Sequence, residues 1–101
     1  MATQSKEASG TLAASGDSDI VAGRGTCMVV LNGDFGSGTV TVNQYLVDGY
    51  VPVTDDTTDV TFTADGSKLL NFPENVVAKV KLTLAGATSP DLDYRIAFDR
   101  A

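Results

Sequence analysis

The stretch "VVAKVKLTLA", residues 76–85, decides the fold class. Val76, Ala78, Val80, Leu82 and Leu84 share one parity, and Lys79, Lys81 and Thr83 share the other. A two-residue period belongs to an extended strand, whose successive side chains point to opposite faces. The aliphatic residues are therefore expected on a core and the lysines in water. No stretch carries an i, i+3, i+4 apolar pattern long enough for a helix.

Strand signals continue on both sides of this segment. After the loop "GATSPD" (86–91), "LDYRIAF" (92–98) closes the chain, with Leu92, Tyr94, Ile96 and Phe98 on one face and Asp93 and Arg95 on the other. Before it, Pro73-Glu74-Asn75 reads as a turn, and "KLLNF" (68–72) is expected to pair back on "DVTFTA" (59–64) across Asp65-Gly66. In "DVTFTA", Val60, Phe62 and Ala64 take one face. "TDDTTD" (54–59) is a polar loop.

"TVTVNQYLV" (39–47) alternates Val40, Val42 and Leu46 against Thr39, Thr41, Asn43 and Tyr45. Gln44 interrupts its apolar face, which predicts a bulge there or a departure from the core. Asp48-Gly49 is a two-residue hairpin signal, and "YVPV" (50–53) returns beside it. Pro52 has no amide proton for a ladder, so this strand belongs at an edge.

"TCMVVLN" (26–32) is apolar on both faces, as in a strand covered on both sides or one that meets a neighbouring subunit. "DIVA" (19–22) reads as a short first strand closed by Gly23-Arg24-Gly25, with Asp17 and Asp19 as turn formers before it. Residues 1–17 are rich in Ala, Ser, Thr and Gly, and Leu12 is their large aliphatic residue. They read as a flexible N-terminal arm ordered by a partner, with "GTLAA" able to add as an edge strand.

The fold expectation is an all-β domain over residues 18–101: a small antiparallel β-sandwich, jelly-roll or related Greek key, with the arm in front. The chain has no tryptophan and a single cysteine, so nothing anchors an immunoglobulin-type core. Its 101 residues suffice for one domain. A domain this small buries about 65% of its unfolded surface, so partners or oligomerisation often add stability. The opening Met reads as an initiator and the chain as a complete small gene product.

Charge and residue types exclude most chemistry. Thirteen acidic and seven basic residues give a net charge of −6, the wrong sign for nucleic acid. No apolar run approaches the roughly 20 residues of a membrane helix, and the N-terminus has no apolar signal core. With no histidine in the chain, neither a cysteine nor a serine nucleophile has its usual base. Cys27 reads as a small buried side chain and suits a reducing compartment. Acidic residues fall in turns, where a raised general-acid pKa is not expected. No enzyme, cofactor or metal is therefore expected.

Asp34-Phe35-Gly36 matches the magnesium-holding triplet of protein kinases, but none of the other kinase motifs accompanies it. Gly33, Gly36 and Gly38 give G-x-x-G-x-G before a strand, not G-x-G-x-x-G before a helix. The mechanical reading is a bend between strands, at which Phe35 either folds back over the core or presents an apolar contact. Asp55, Asp56 and Asp59 could offer oxygens to calcium, without the ligand spacing of a dedicated loop. Tyr94 belongs with the core. Tyr45, on the Thr/Asn face, and Tyr50 suit an interface or a sugar-stacking surface. Leu12, Phe35, Tyr45 and Tyr50 are the candidate partner contacts.

"GDFGSGTVTVNQYLVDGYVPV" and "FTADGSKLLNFPENVVAKVKLTLAGATSPDLDYRI" resemble small structural proteins of tailed-bacteriophage virions, over about residues 30–98. The likeness lies in the Gly-rich bend, the "GTVT" strand, the Asp-Gly turns and the segment "LAGATSPDLDY" (84–94). It implies a capsid cement or decoration protein, a β-sandwich that binds the outer capsid of the virion as a dimer or trimer after assembly in the host cytoplasm. The partner so implied is the major capsid protein. Alternatives are a tail, neck or fibre module, and a carbohydrate-binding sandwich recognising host glycans.

Overall fold

The computed structural model describes residues 6–46, 49–55 and 58–100, with the side chains of 46 and 55 excepted. Its strands are β1 (Glu7–Leu12), β2 (Gly16–Asp17), β3 (Val21–Asp34), β4 (Thr39–Leu46), β5 (Gly49–Pro52), β6 (Thr54–Asp55), β7 (Thr58–Asp59), β8 (Thr61–Phe62), β9 (Gly66–Asn71), β10 (Ala78–Ala85) and β11 (Asp91–Arg100). Every pairing is antiparallel. Nine strands make one continuous sheet that curls into two layers, and β6 and β7 form a separate ribbon. The protein is the all-β antiparallel sandwich that the alternation predicts.

Layer I runs β1-β11-β3-β9, and layer II runs β5-β4-β10 with β8 on β4 and β2 on β10. The core between them is aliphatic: Val21, Val29, Leu31, Val40, Val42, Val80, Leu82, Leu84, Leu92 and Ile96 are all fully buried. Each such side chain is worth roughly 1.5–3 kcal/mol of burial. In β10, Val80, Leu82 and Leu84 point in as the alternation requires, and Leu92, Tyr94, Ile96 and Phe98 of β11 do the same. Val76 departs from the pattern: it precedes β10 and is 58% exposed.

β3 holds the layers together. It is one strand of 14 residues, where the sequence suggests two short ones broken at Gly23-Arg24-Gly25. Val21–Gly23 pair with β10 in layer II, and Arg24–Asp34 pair with β11 in layer I. The two glycines are the corner of the sandwich rather than a turn. A Cβ on Gly23 would lie 2.4 Å from Phe98 Cβ and 2.6 Å from the Arg100 carbonyl oxygen, so the backbone crosses where no side chain fits. Gly25 has φ of 83°, open to glycine at little cost. Opposite the corner, the β3–β11 register shifts between Phe98 and Arg100, a bulge that lets the sheet bend.

The Asp65-Gly66 bend is not a hairpin either. β8 pairs with β4 in layer II, whereas β9 pairs with β3 in layer I, so the chain changes layers there. Asp65 Oδ1 accepts a 2.9 Å hydrogen bond from the Gly33 amide and ties this crossover to the end of β3. β4 and β5 pair where a hairpin is expected, but in a different register: Gly49 is a strand residue opposite Leu46 rather than half of the turn, which sets Tyr45 opposite Tyr50. Asp48 lies outside the described residues. β5, carrying Pro52, ends its layer, and the register runs through Gln44 without a bulge.

The segment read as an arm is strand from Glu7 onward. β1 pairs with β11 from Glu7–Ala97 to Leu12–Leu92, the edge addition open to "GTLAA", and residues 1–5 lie outside the described residues. Leu12 is 8% exposed and anchors β1 to the core. The chain then crosses to layer II, where Ser18 fills a gap in the ladder: its amide donates to the Leu82 carbonyl at 2.8 Å and its Oγ accepts from the Leu82 amide at 2.9 Å. This exchange accounts for Ser18, the one buried polar residue among the described residues.

Candidate docking face

Antiparallel register places residues directly opposite one another on the same face. Tyr45 and Tyr50 are such a pair, on the solvent side of layer II. Their ring centroids lie 5.3 Å apart at 70°, edge to face. β10 brings its outward lysines alongside. Lys81 Nζ sits 4.3 Å from the Tyr50 ring centroid, within cation–π range, and Lys79 Nζ lies 5.8 Å from that of Tyr45.

The same row continues across β10 to β2. Asp17 Oδ2 accepts from Lys81 Nζ at 2.9 Å, and its Oδ1 accepts from Thr83 Oγ1 at 2.7 Å. Thr83 Oγ1 in turn accepts from Asn43 Nδ2 at 2.8 Å. The Lys81 hydrogen bond is the largest cause that holds the Asp17 carboxyl below the usual aspartate range, with Thr83 second and slight burial opposing. Four strands, β2, β4, β5 and β10, thus fix one polar and aromatic surface, with Tyr45 still 45% exposed.

The other two predicted contacts are not on the surface. Leu12 and Phe35 are core residues at 8% and 6% exposure. Phe35 folds back because the bend beneath it is held tightly. The Gly36 amide donates to Asp34 Oδ1 at 2.8 Å, and the Gly38 amide donates to the Phe35 carbonyl at 2.9 Å. With the Gly33 amide also engaged by Asp65, these glycine donors are spent inside the protein and not aimed at a phosphate. A Cβ on Gly36 would meet the Thr88 carbonyl oxygen at 2.5 Å, which gives the glycine a packing reason.

Of the calcium candidates, Asp56 and the Asp55 side chain lie outside the described residues, and Asp59 is exposed on β7. Among the described residues no group of three potential ligands could hold a metal ion. Cys27 is buried, and desolvation pushes its thiol up to about 12, so it is protonated at neutral pH.

Sequence reasoning placed Lys79 and Lys81 on a wet face but did not join them to the tyrosines. Only the β10–β4 pairing does that, and one strand's alternation does not name its neighbour. No family model, curated protein or solved structure matches this chain.

Proposed function

We propose that the chain is a non-catalytic structural subunit of a tailed-bacteriophage virion, a capsid cement or decoration protein that docks through the Tyr45–Tyr50–Lys79–Lys81 face. The observation that carries this reading is the prior ordering of that face. Two tyrosines and two lysines are fixed on strands by rings, cations and hydrogen bonds before any partner arrives. Aromatic anchors on a rigid element lose little entropy on binding and concentrate interface energy. The likeness of residues 30–98 to small virion proteins supplies the class of partner, the major capsid protein.

Geometry weighs against glycan recognition by the same residues. A sugar ring stacks on an open aromatic face, and the Tyr50 face is occupied by Lys81 at 4.3 Å. The rings are also crossed at 70°, so they do not make one flat platform. A protein surface can follow such a stepped relief, whereas a pyranose cannot.

Quantitative mass spectrometry of purified particles tests the reading. A copy number comparable with that of the major capsid protein is expected. A handful of copies per particle would move the protein to the neck or tail, and its absence from particles would end the proposal. Binding of the purified chain to particles lacking it should fall for Tyr45→Ala and Lys79→Ala, both in exposed positions.

A further inference from the structure

β1 ends layer I, and its register with β11 runs unbroken from Glu7–Ala97 to Leu12–Leu92. The Phe98 amide donates to the Lys6 carbonyl at 2.8 Å, which makes 6 and 98 a hydrogen-bonded pair. Such pairs alternate along an antiparallel ladder. The main-chain groups of Ala8, Gly10 and Leu12 therefore face β11. The amides and carbonyls of Ser9 and Thr11 face away from it, at exposed positions.

A bare edge accepts another strand, and proteins usually guard against it. The other long end strands here are guarded. β5 carries Pro52, and β9 carries Lys68 directly opposite buried Val29, a charge on the core side of an edge. β2 and β8 have two residues each. β1, "EASGTL", has no proline, no lysine and no bulge, and its centre is Ser9-Gly10. Residues 1–5 are too few to cover it: a two-residue turn would leave three to pair back, short of Thr11.

The charges along this edge are balanced within one copy. Arg95 Nη2 donates to Glu7 Oε2 at 3.1 Å, Thr11 Oγ1 donates to Asp93 Oδ1 at 2.8 Å, and Lys6 Nζ reaches the Asp99 carbonyl at 3.5 Å. Lys6 and Arg95 offset Glu7 and Asp93, so the edge is neutral and its backbone is what it offers.

We propose that β1 pairs antiparallel with β1 of a second copy, across a two-fold axis at Gly10. The two glycines then meet at the close spacing of about 4.5 Å, where the absence of side chains suits them. Ser9 of each copy lies opposite Thr11 of the other, and these two pairs exchange main-chain hydrogen bonds in both directions. On the core side, Ala8 meets Leu12 of the second copy, and the apolar row beneath β1 continues across the seam. On the outer side, Glu7 lies opposite Ala13, so no like charges face each other. An axis at Ser9 would instead bring Glu7 beside Asp93 of the second copy and set Ala8 against glycine. The two layers I become one sheet, and the tyrosine–lysine face, on layer II, stays exposed. Pairing through a single strand makes a weak dimer. Chains of net charge −6 repel at a distance while the seam is neutral, so salt tightens it.

Sedimentation velocity of the full chain, diluted from about 1 mM, tests this. The expected result is a reversible shift from two 10.5 kDa chains to one, opposed by added salt. Ser9→Pro removes an amide proton that points away from β11, so the β1–β11 ladder survives. It should weaken the dimer at least about tenfold with an unchanged circular-dichroism spectrum. Ser9→Ala keeps that proton and should dimerise like the parent. An equimolar mixture of Ser9→Cys and Thr11→Cys chains, gently oxidised, should give mainly the mixed disulfide, because opposed Cα atoms in such a pair lie about 5.5 Å apart. Cys27 is buried and stays out of the exchange. A monomer at every concentration, a trimer, a dimer indifferent to Ser9→Pro, equal loss with Ser9→Ala, or no preference for the mixed disulfide would each overturn the proposal.

Discussion

Gly23→Ala isolates the corner of the sandwich in one methyl group. In an ordinary strand this change should stabilise by about 0.4–1 kcal/mol, because alanine has less unfolded-state freedom to lose. Here the new Cβ would sit 2.4 Å from Phe98 Cβ, 2.5 Å from Phe98 Cγ and 2.6 Å from the Arg100 carbonyl oxygen. Ordinary carbon contacts lie near 3.5–4.0 Å, so the backbones must part by about 1 Å. Phe98 is 3% exposed and its ring packs on Phe72 at 5.4 Å, so it has little room to retreat. Overpacking of this kind costs about 1–3 kcal/mol. We expect the upper end, about 3 kcal/mol, because a carbonyl and a Cβ cannot rotate away as a side-chain tip can. For a domain of this size that is a fall in Tm of roughly 12–24 °C. Urea titration followed by tyrosine fluorescence and circular dichroism measures it. Gly49→Ala, with nothing within 4 Å of the new Cβ, is the control and should be neutral or slightly stabilising. Phe98→Ala should not rescue Gly23→Ala, since alanine keeps the offending Cβ. Stabilisation by Gly23→Ala, or rescue by Phe98→Ala, would refute the account of the corner.

Three further outcomes follow from the fold. Asp17 has a lowered folded-state pKa, so its contribution is complete above the ordinary aspartate value of 3.8 and is lost as pH falls through the lower folded value. Asp17→Asn should thus destabilise by about 0.5 kcal/mol at pH 7, given the half-exposed carboxylate, and by less in acid titrations as both forms become neutral. Cys27 should resist iodoacetamide at pH 8 in the folded protein and react on addition of urea; rapid native alkylation would contradict its burial. Leu82→Ala removes a fully buried side chain beside Ser18 and should cost about 2–5 kcal/mol by denaturant titration.

Alternation made much of this fold legible. β10 and β11 bury the residues that a two-residue period assigns, and β5 returns beside β4 as an edge strand as Pro52 suggests, although Gly49 belongs to the strand and the register that joins Tyr45 to Tyr50 is not the one an Asp48-Gly49 turn implies. Local signals failed where a decision depended on distant partners. Asp65-Gly66 announces a reversal, but whether β9 pairs with β8 or with β3 depends on where each can bury Val60, Leu70 and Phe62. Gly23 and Gly25 look like breakers because glycine ends many strands. The place of Gly23 at the corner is set by Phe98 and Arg100, some 75 residues later. Leu12 looks like a lone apolar residue on an arm until β11 supplies it with a core. The docking face was half legible for the same reason: the lysines and the tyrosines are readable one strand at a time, and their union is a matter of register.

The strand that turns the corner also determines how the protein bears load. Two layers held only by side-chain packing would slide past each other under shear. Here an unbroken backbone passes from one layer into the other, so a tug on the tyrosine side travels to the opposite side through covalent bonds. The strands at the two ends of the sheet, β1 and β5, are each held by a single ladder and give way under tension before that backbone does.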